Sequence, residues 1–408
     1  MNTVFCKSKR ALFVCYGGGH IASCLPIASE LVARGWSVHL VALTTAFKYA
    51  QDRGWSPLGF KDFIEEEDRK EIRECGFSFE GEVSGLISSE ESAAYLGLSY
   101  LDLIKENGKE KASQLYASGG RQIFFPLKTM SKILKIINPD ILITTASPRA
   151  EYAAQIAASE LGIKRICFLD LPDEYMMQRV YGMPGGVELC VADGYIREKM
   201  IEIGFPSDSL HVTGNPAFDE LREVKACDIE AIKERVQFSS GVKVILWASQ
   251  IEPEKDPVTG EIADSELPRK IEKALRKMVS NREDLRLIVR YHPNEDQEFL
   301  EEKNVYLSPK GEDINVLLNS CDVIVTMTST VAFQAAYLRK PVVSVDISVF
   351  SKTLKLSDIG VSRGVVDIKD ISLVVEEVLT AQKESLDMCD VEVMKSAEKI
   401  ADVAETML

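Results

Sequence analysis

The chain has 408 residues, 46% hydrophobic and 27% charged, with a formal net charge of −15. That length suits two globular domains on a prior of roughly 150 residues each, and no apolar run reaches the ~18 residues of a membrane span. The negative charge argues against nucleic acid as a partner and against non-specific attraction to anionic lipid, while a local basic patch would still permit peripheral contact with the inner face of a membrane. Nine scattered cysteines without a C-x-x-C pair read as reduced, buried thiols. No signal-peptide pattern precedes the first apolar run, so a cytoplasmic location is expected.

The first apolar run, Leu12 to Cys15, stops at Gly17-Gly18-Gly19-His20, after which apolar residues recur at helical spacing through Ile21, Leu25, Ala28, Leu31 and Val32. Strand, tight loop and helix follow from that change of period. Glycines here admit positive φ and let N–H groups approach a ligand, and the helix start offers unpaired N–H groups to an anion. A ligand-free βα turn is the alternative. The run is not G-x-G-x-x-G, so it points to a nucleotide-type crevice without naming the ligand.

A second strand is predicted over Ser37–Ala42, a helix over 45–53 and a short extended piece over 56–59. Residues 60–120 carry charged tracts, Glu65-Glu66-Glu67-Asp68-Arg69-Lys70 among them, and read as a helical insertion with solvated faces. It ends at Gly119-Gly120-Arg121, where Arg121 either holds an acceptor anion or packs ahead of the next helix. Helix 130–137, strand 140–144, helix 151–161 and strand 165–170 then continue a parallel sheet. Asp170, Asp173 and Glu174 crowd past that last strand, where ligands bind in open α/β sheets, with N-capping as the other reading of Asp173. After one more βα step over 187–203, the Gly/Pro-dense stretch 204–216, with Gly214 and Asn215, marks a boundary. The domains expected are 1–210, 211–385 and a C-terminal helix within 386–408 that packs back on the first domain. Strands at 243–248, 285–291, 323–326 and 342–345 build the second domain, and residues 252–266 read as an exposed loop.

Three strand ends of the second half carry polar sets: Ser249-Gln250, Arg290-Tyr291-His292, and Thr328-Ser329-Thr330 opening a helix. In a parallel sheet they share one crevice. Three hydroxyls and free N–H groups suit a phosphate, with Arg290 as fixed charge; simple N-capping would need only one hydroxyl. Of the four histidines, His39 and His211 read as structural, while His20 at a helix start suits a general base. No metal-ligand spacing appears, so neither metal nor cofactor is expected.

Together these motifs resemble the two-Rossmann-domain GT-B glycosyltransferases and their relatives, the non-hydrolysing UDP-N-acetylglucosamine 2-epimerases. Gly17-Gly18-Gly19-His20 is similar to the glycine loop of the peptidoglycan N-acetylglucosaminyltransferase. Val212-Thr213-Gly214-Asn215-Pro216 is similar to the segment entering its nucleotide domain, and Ser249-Gln250 stands where it has Gly-Gly-Ser-Gln. His292-Pro293-Asn294 resembles the epimerases, and Ser329 to Ala336 with Lys340-Pro341-Val342 resembles the donor-binding helix and the following strand, with Gln334 where many members have Glu. The paired Glu pattern of retaining members is absent. The resemblance implies an α/β fold of two Rossmann-like domains facing across a cleft. It also implies inverting, metal-independent transfer from a UDP- or CMP-type nucleotide sugar to a glycan, lipid-linked or protein acceptor in surface polysaccharide or glycoconjugate synthesis. His20, Asp170 or Asp173 would serve as base. The binding shell would comprise the three glycines, Arg121, Glu174, Gly214, Asn215, Ser249, Gln250, Arg290, His292, Thr328, Ser329, Thr330 and Gln334, and a homodimer is compatible with it. An epimerase or hydrolase acting on the nucleotide sugar alone, and a non-catalytic partner of a transferase, are the alternatives.

Overall fold

The computed structural model describes residues 8–66, 69–77, 88–221, 223–256, 259–381 and 395–408. Glu67 and Asp68 of the first charged tract, residues 257–258 of the acidic loop and residues 386–394 of the C-terminal segment lie outside these. Two compact units form, Met1–Asp219 with Met394–Leu408, and Glu220–Val393. Each is built on a six-stranded parallel sheet, so the two Rossmann-like α/β domains read from the sequence are present.

In the first unit β1 (Arg10–Cys15), α1 (Gly18–Ala33), β2 (Ser37–Ala42) and α2 (Thr45–Gln51) lead into the inserted helices α3 (Arg69–Phe77), α4 (Ser89–Asn107) and α5 (Lys109–Gly119). The sheet resumes with α6 (Leu127–Ile137), β3 (Ile141–Thr145), α7 (Ala150–Glu160), β4 (Lys164–Leu169), α8 (Glu174–Tyr181), β5 (Val187–Val191), α9 (Gly194–Glu202) and β6 (Leu210–Val212). Strand order is β2-β1-β3-β4-β5-β6. β1 lies inside the sheet, and its side chains alternate between two cores. Ala11, Phe13 and Cys15 face α1 and α2, whereas Leu12 and Val14 face α6, α7 and the insertion. The C-terminal helix Ser396–Thr406 joins the first of these cores through Ile400, Ala401 and Ala404.

Three expectations need amending. β6 pairs with β5 and closes the first sheet, so this unit runs on to Asp219 and does not stop near 210. The insertion is helical and has solvated faces, α5 burying only Ala112, but α4 also buries Ala93, Ala94, Tyr95, Leu96 and Leu103 and so adds to the core. Residues 56–59 contribute a single bridge, Val41 to Leu58, and no strand.

The second unit contains α10 (Ala226–Arg235), β7 (Lys243–Ala248), α11 (Leu267–Val279), β8 (Leu285–Arg290), β9 (Val305–Leu307), α12 (Ile314–Ser320), β10 (Val323–Thr326), α13 (Thr330–Tyr337), β11 (Val342–Val345), β12 (Arg363–Val365) and α14 (Ile371–Thr380). The C-terminal helix is then α15. Strand order is β12-β11-β10-β7-β8-β9, so the chain builds outward from β7 on one side and then on the other, the order of a dinucleotide-type Rossmann sheet. The edge strands β9 and β12, of three residues each, are too short to show a period in the sequence. The 252–266 loop is not wholly exposed. Glu252 is buried because its carboxylate accepts bonds from Ser348 Oγ (2.7 Å) and the Val349 N–H (2.8 Å).

Candidate functional site

In an open parallel sheet the ligand crevice lies where the order of strand addition reverses. In the first unit that point is between β1 and β3. Tyr16 and Gly17 make the whole β1–α1 connection. Gly17 is extended (φ −146°) and α1 starts at Gly18, so the expected positive φ is not used in this loop. The glycines instead keep the helix start bare, since a Cβ on Gly19 would meet nothing within 4 Å. The Gly18 N–H is already bound by Thr45 Oγ1 at 3.1 Å, which leaves the first-turn N–H groups of Gly19 and His20 to face a ligand.

His20 reaches across the β1/β3 point. Its Nδ1 lies 2.5 Å from Thr145 Oγ1, which donates to Glu151 Oε2 at 2.6 Å, while Glu151 Oε1 accepts the Tyr16 N–H at 2.7 Å. Glu151 is 0% exposed. A hydroxyl has one proton, and a carboxylate can only accept. The Thr145 proton therefore goes to Glu151, its oxygen accepts from His20 Nδ1–H, and Nε2 keeps its lone pair. The network assigns the tautomer a base at Nε2 requires. Asp170, one residue past β4, interacts with His20. Burial pushes its carboxyl above the usual carboxylate range, and the neighbouring imidazole pulls it back. Asp173 has the capping role, its Oδ1 accepting the Met176 N–H at 2.9 Å, and Glu174 is exposed in the first turn of α8.

Arg121 lines a small pocket with Tyr16, Thr44, Glu91, Ser92, Tyr95 and Leu96. Gly214 has φ +85°, a left-handed conformation that favours glycine. Asn215 turns its Oδ1 to the Ala217 N–H (3.0 Å) and Ser23 Oγ (3.2 Å). Asn215 thus fastens α1 to the 216–218 turn, and both residues lie within the first unit, where the sequence reading had them at the entrance to the second domain.

In the second unit the reversal lies between β7 and β10, and a hydrogen bond again spans it. Gln250 Oε1, past β7, accepts the Thr328 N–H, past β10, at 3.0 Å. Thr328 Oγ1 lies 3.3 Å from Ser351 Oγ, Ser329 Oγ caps α13 by accepting the Val331 N–H, and Thr330 is exposed at the helix start. The three hydroxyls therefore do different things, and only one is a cap. Gln334 is half-buried one turn further along. Arg290 ends β8 and donates to Ser308 Oγ at 3.0 Å; burial lowers its basicity, and Glu312 and Asp313 nearby oppose that shift only in part. His292 Nδ1 accepts the Asn294 N–H at 3.2 Å, so neutral His292 presents Nε2–H as a donor. Burial disfavours its charged form, opposed by Glu295.

Ser249 is buried and committed to the protein, donating to Glu295 Oε1 (3.0 Å) and accepting from Arg269 Nη2 (2.8 Å). Glu295 in turn accepts the His292 N–H at 2.7 Å and pairs with Arg269, so this network sets the β8 loop. Thr145, Glu151, Glu252, Arg269 and Glu295 did not stand out in the sequence. The one available signal was their type: acids and polar residues beside strand ends. Among the described residues no group of three or more His, Cys, Asp or Glu is placed to hold a metal, and no helix is long and apolar enough to cross a membrane.

Residues 188–356 match the family model of CDP-glycerol:poly(glycerophosphate) glycerophosphotransferase, a span that holds the second unit's polar strand ends. Among curated proteins no match was found. Solved structures similar to the chain include UDP-GlcNAc 2-epimerase from Methanocaldococcus jannaschii (13% identity, TM-score 0.61, 97% of this chain and 99% of that one). The UDP-GlcNAc 2-epimerase from Neisseria meningitidis, bound to UDP-GlcNAc, is similar at 12% identity and TM-score 0.59 (97% and 100% covered). The glycosyltransferase SnogD from Streptomyces nogalater is similar at 14% identity and TM-score 0.55 (98% and 100% covered). At such identities architecture alone is shared: the chain has the two-domain α/β fold of these structures, and its residues 188–356 match the glycerophosphotransferase family model.

Proposed function

We propose that the chain is an inverting transferase that moves a sugar from a nucleotide-linked donor, bound by the second unit, to an acceptor hydroxyl bound by the first. The observation that carries this reading is the polar set across the β7/β10 reversal, where Gln250 fixes Thr328 and the α13 start stays open. Free N–H groups at Ser329 and Thr330 and the Arg290 guanidinium would take the leaving diphosphate, stabilising its charge without a metal. His20 Nε2 would remove the acceptor proton, with Asp170 as its competitor for that role. Bacterial surface polysaccharide or glycoconjugate synthesis in the cytoplasm fits this reading.

The family match over 188–356 favours a second reading on the same site, in which the donor is CDP-linked and the group moved is a glycerophosphate. A panel of CDP-glycerol and UDP-, CMP-, CDP- and GDP-sugars, tested for binding and for turnover with and without polyol-phosphate or glycan acceptors, separates the readings. We expect binding of one nucleotide class and acceptor-dependent turnover. Arg290→Ala should weaken that binding by about 1.5–3 kcal/mol, and chelators should leave turnover unchanged. Sugar interconversion without acceptor would identify an epimerase instead, and absence of any nucleotide binding would remove both transferase readings.

A further inference from the structure

Arg149, the last residue of the β3–α7 connection, carries a charge that the protein does not neutralise. Among the described residues its side chain makes no hydrogen bond or ion pair. Its guanidinium lies instead over the Tyr16 ring, with Cζ 4.5 Å from the centroid. Nε is buried without a partner, whereas the two Nη groups, which have no partner either, are not buried. An aromatic face attracts a guanidinium through its quadrupole and occupies none of the N–H donors. Arg149 is therefore positioned with its donors left over for something else.

The support beneath it is fixed. Tyr16 is fastened at both backbone groups, since Glu151 Oε1 accepts its N–H at 2.7 Å and its carbonyl accepts from Thr44 Oγ1. Thr44 is a β-branched residue at φ +55°, a conformation that persists only where the surroundings enforce it. The Tyr16 ring packs 5.7 Å from that of Tyr95, and the two phenols are hydrogen-bonded. Burial and that contact drive the Tyr95 phenol well above its ordinary range, and the charges of Arg149 and Arg121 oppose them, so a second guanidinium acts on the same pair of rings. Glu151 follows Arg149 by two residues, but its oxygens are already engaged by Tyr16 and Thr145. The same strand end holds His20 Nδ1, 2.5 Å from Thr145 Oγ1, which puts the anchor of the proposed base and an unpaired cation on one connection.

The chemistry of the missing partner follows from the donors. A guanidinium fork takes two oxygens in one plane, which uses up a carboxylate. A phosphoryl group keeps a further oxygen for the open N–H groups of Gly19 and His20 at the start of α1. We propose that Arg149 recognises a phosphoryl group carried by the acceptor and so holds that acceptor at the first unit's β1/β3 crevice. The proposal rests on the reading that the first unit binds the acceptor.

The full chain is tested by ligand-observed NMR without nucleotide, with sn-glycerol 3-phosphate, D-glycerate and glycerol as probes, and CDP and UDP are titrated separately. The parent should bind glycerol 3-phosphate at least fivefold more tightly than D-glycerate and more tightly still than glycerol. Arg149→Gln should weaken glycerol 3-phosphate at least tenfold, and Arg149→Lys, which keeps the charge but not the fork, by a smaller factor. Nucleotide affinity should be unchanged in both, which also reports that they fold. Arg53→Gln is the control: that exposed arginine likewise lies over a ring, 3.6 Å from the Tyr49 centroid, and its loss should leave the probe's affinity as in the parent. An Arg149→Gln variant that binds the probe as the parent does, equal weakening by Arg53→Gln, or D-glycerate bound as tightly as glycerol 3-phosphate would overturn the assignment. Nucleotide bound by the parent but no glycerol 3-phosphate would overturn this proposal alone. Arg149-dependent binding of glycerol 3-phosphate in a parent that binds no nucleotide would count against the proposed function and leave the Arg149 site standing.

Discussion

Thr145 has one hydroxyl proton and two polar neighbours, and its donation to Glu151 decides which nitrogen of the neutral His20 ring is basic. If His20 is the general base, His20→Ala should lower kcat by roughly 10²–10⁴-fold while nucleotide affinity stays put. Thr145→Val is nearly isosteric but severs the link to Glu151, so it should lower kcat by about tenfold or more through loss of the oriented tautomer and shift the acidic limb of the pH–rate profile. A Thr145→Val enzyme with the parent's kcat and pH profile would reduce that hydroxyl to packing. Asp170→Asn abolishing the limb while His20→Ala retains it would move the base to the carboxylate whose ionisation burial already delays.

Among the elements, the inserted helices show how a composition that reads as solvated becomes core. α3 and α4 cross at two glycines. An added Cβ on Gly97 would lie 2.2 Å from the Ile72 carbonyl oxygen, and one on Gly76 would lie 2.0 Å from that of Ala93. Backbone then meets backbone, and neither oxygen can swing aside. Gly97→Ala should therefore destabilise the first unit by about 1–3 kcal/mol, the usual cost of overpacking, read as a lower denaturant midpoint for that unit alone. An unshifted midpoint would mean that the two helices separate without cost.

For the whole molecule, chain order and domain membership part company at the end. α15 follows the second unit in sequence yet belongs to the first, where Ile400, Ala401 and Ala404 are fully buried in the α1 core. Arg34 holds Asp402 at 2.7 Å, and Asp219 accepts from Ser396 Oγ (2.7 Å) and the Ala397 N–H (3.0 Å). The second unit has its own cores around β7 and β10. Ile400→Ala should therefore cost about 2–5 kcal/mol in only one of two unfolding transitions. Calorimetry that resolves the transitions, with nucleotide added to mark the second unit's, checks this; equal shifts in both would mean that the units unfold as one.

What the sequence determined by itself was whatever is written in neighbouring residues. The strands Ser37–Ala42, Val187–Val191, Lys243–Ala248, Val323–Thr326 and Val342–Val345 show in runs of apolar and β-branched residues, because burial on both faces of a parallel sheet demands them. The glycine loop and the polar strand ends at Gln250, Arg290 and Thr328 show because parallel strands all deliver their C-terminal ends to one edge. Tertiary structure alone decided which of these groups have partners. Thr145 lies 125 residues from His20, and Gln250 78 residues from Thr328, and no local period records such pairings. For the same reason Ser249 reads as a ligand residue but is held by Arg269 and Glu295. Asn215 reads as the entry to a second domain but anchors α1, and Glu151 reads as an ordinary helix start but fixes the histidine. A side chain's type limits what it can bond to, and only the packed sheet settles which partner comes within reach.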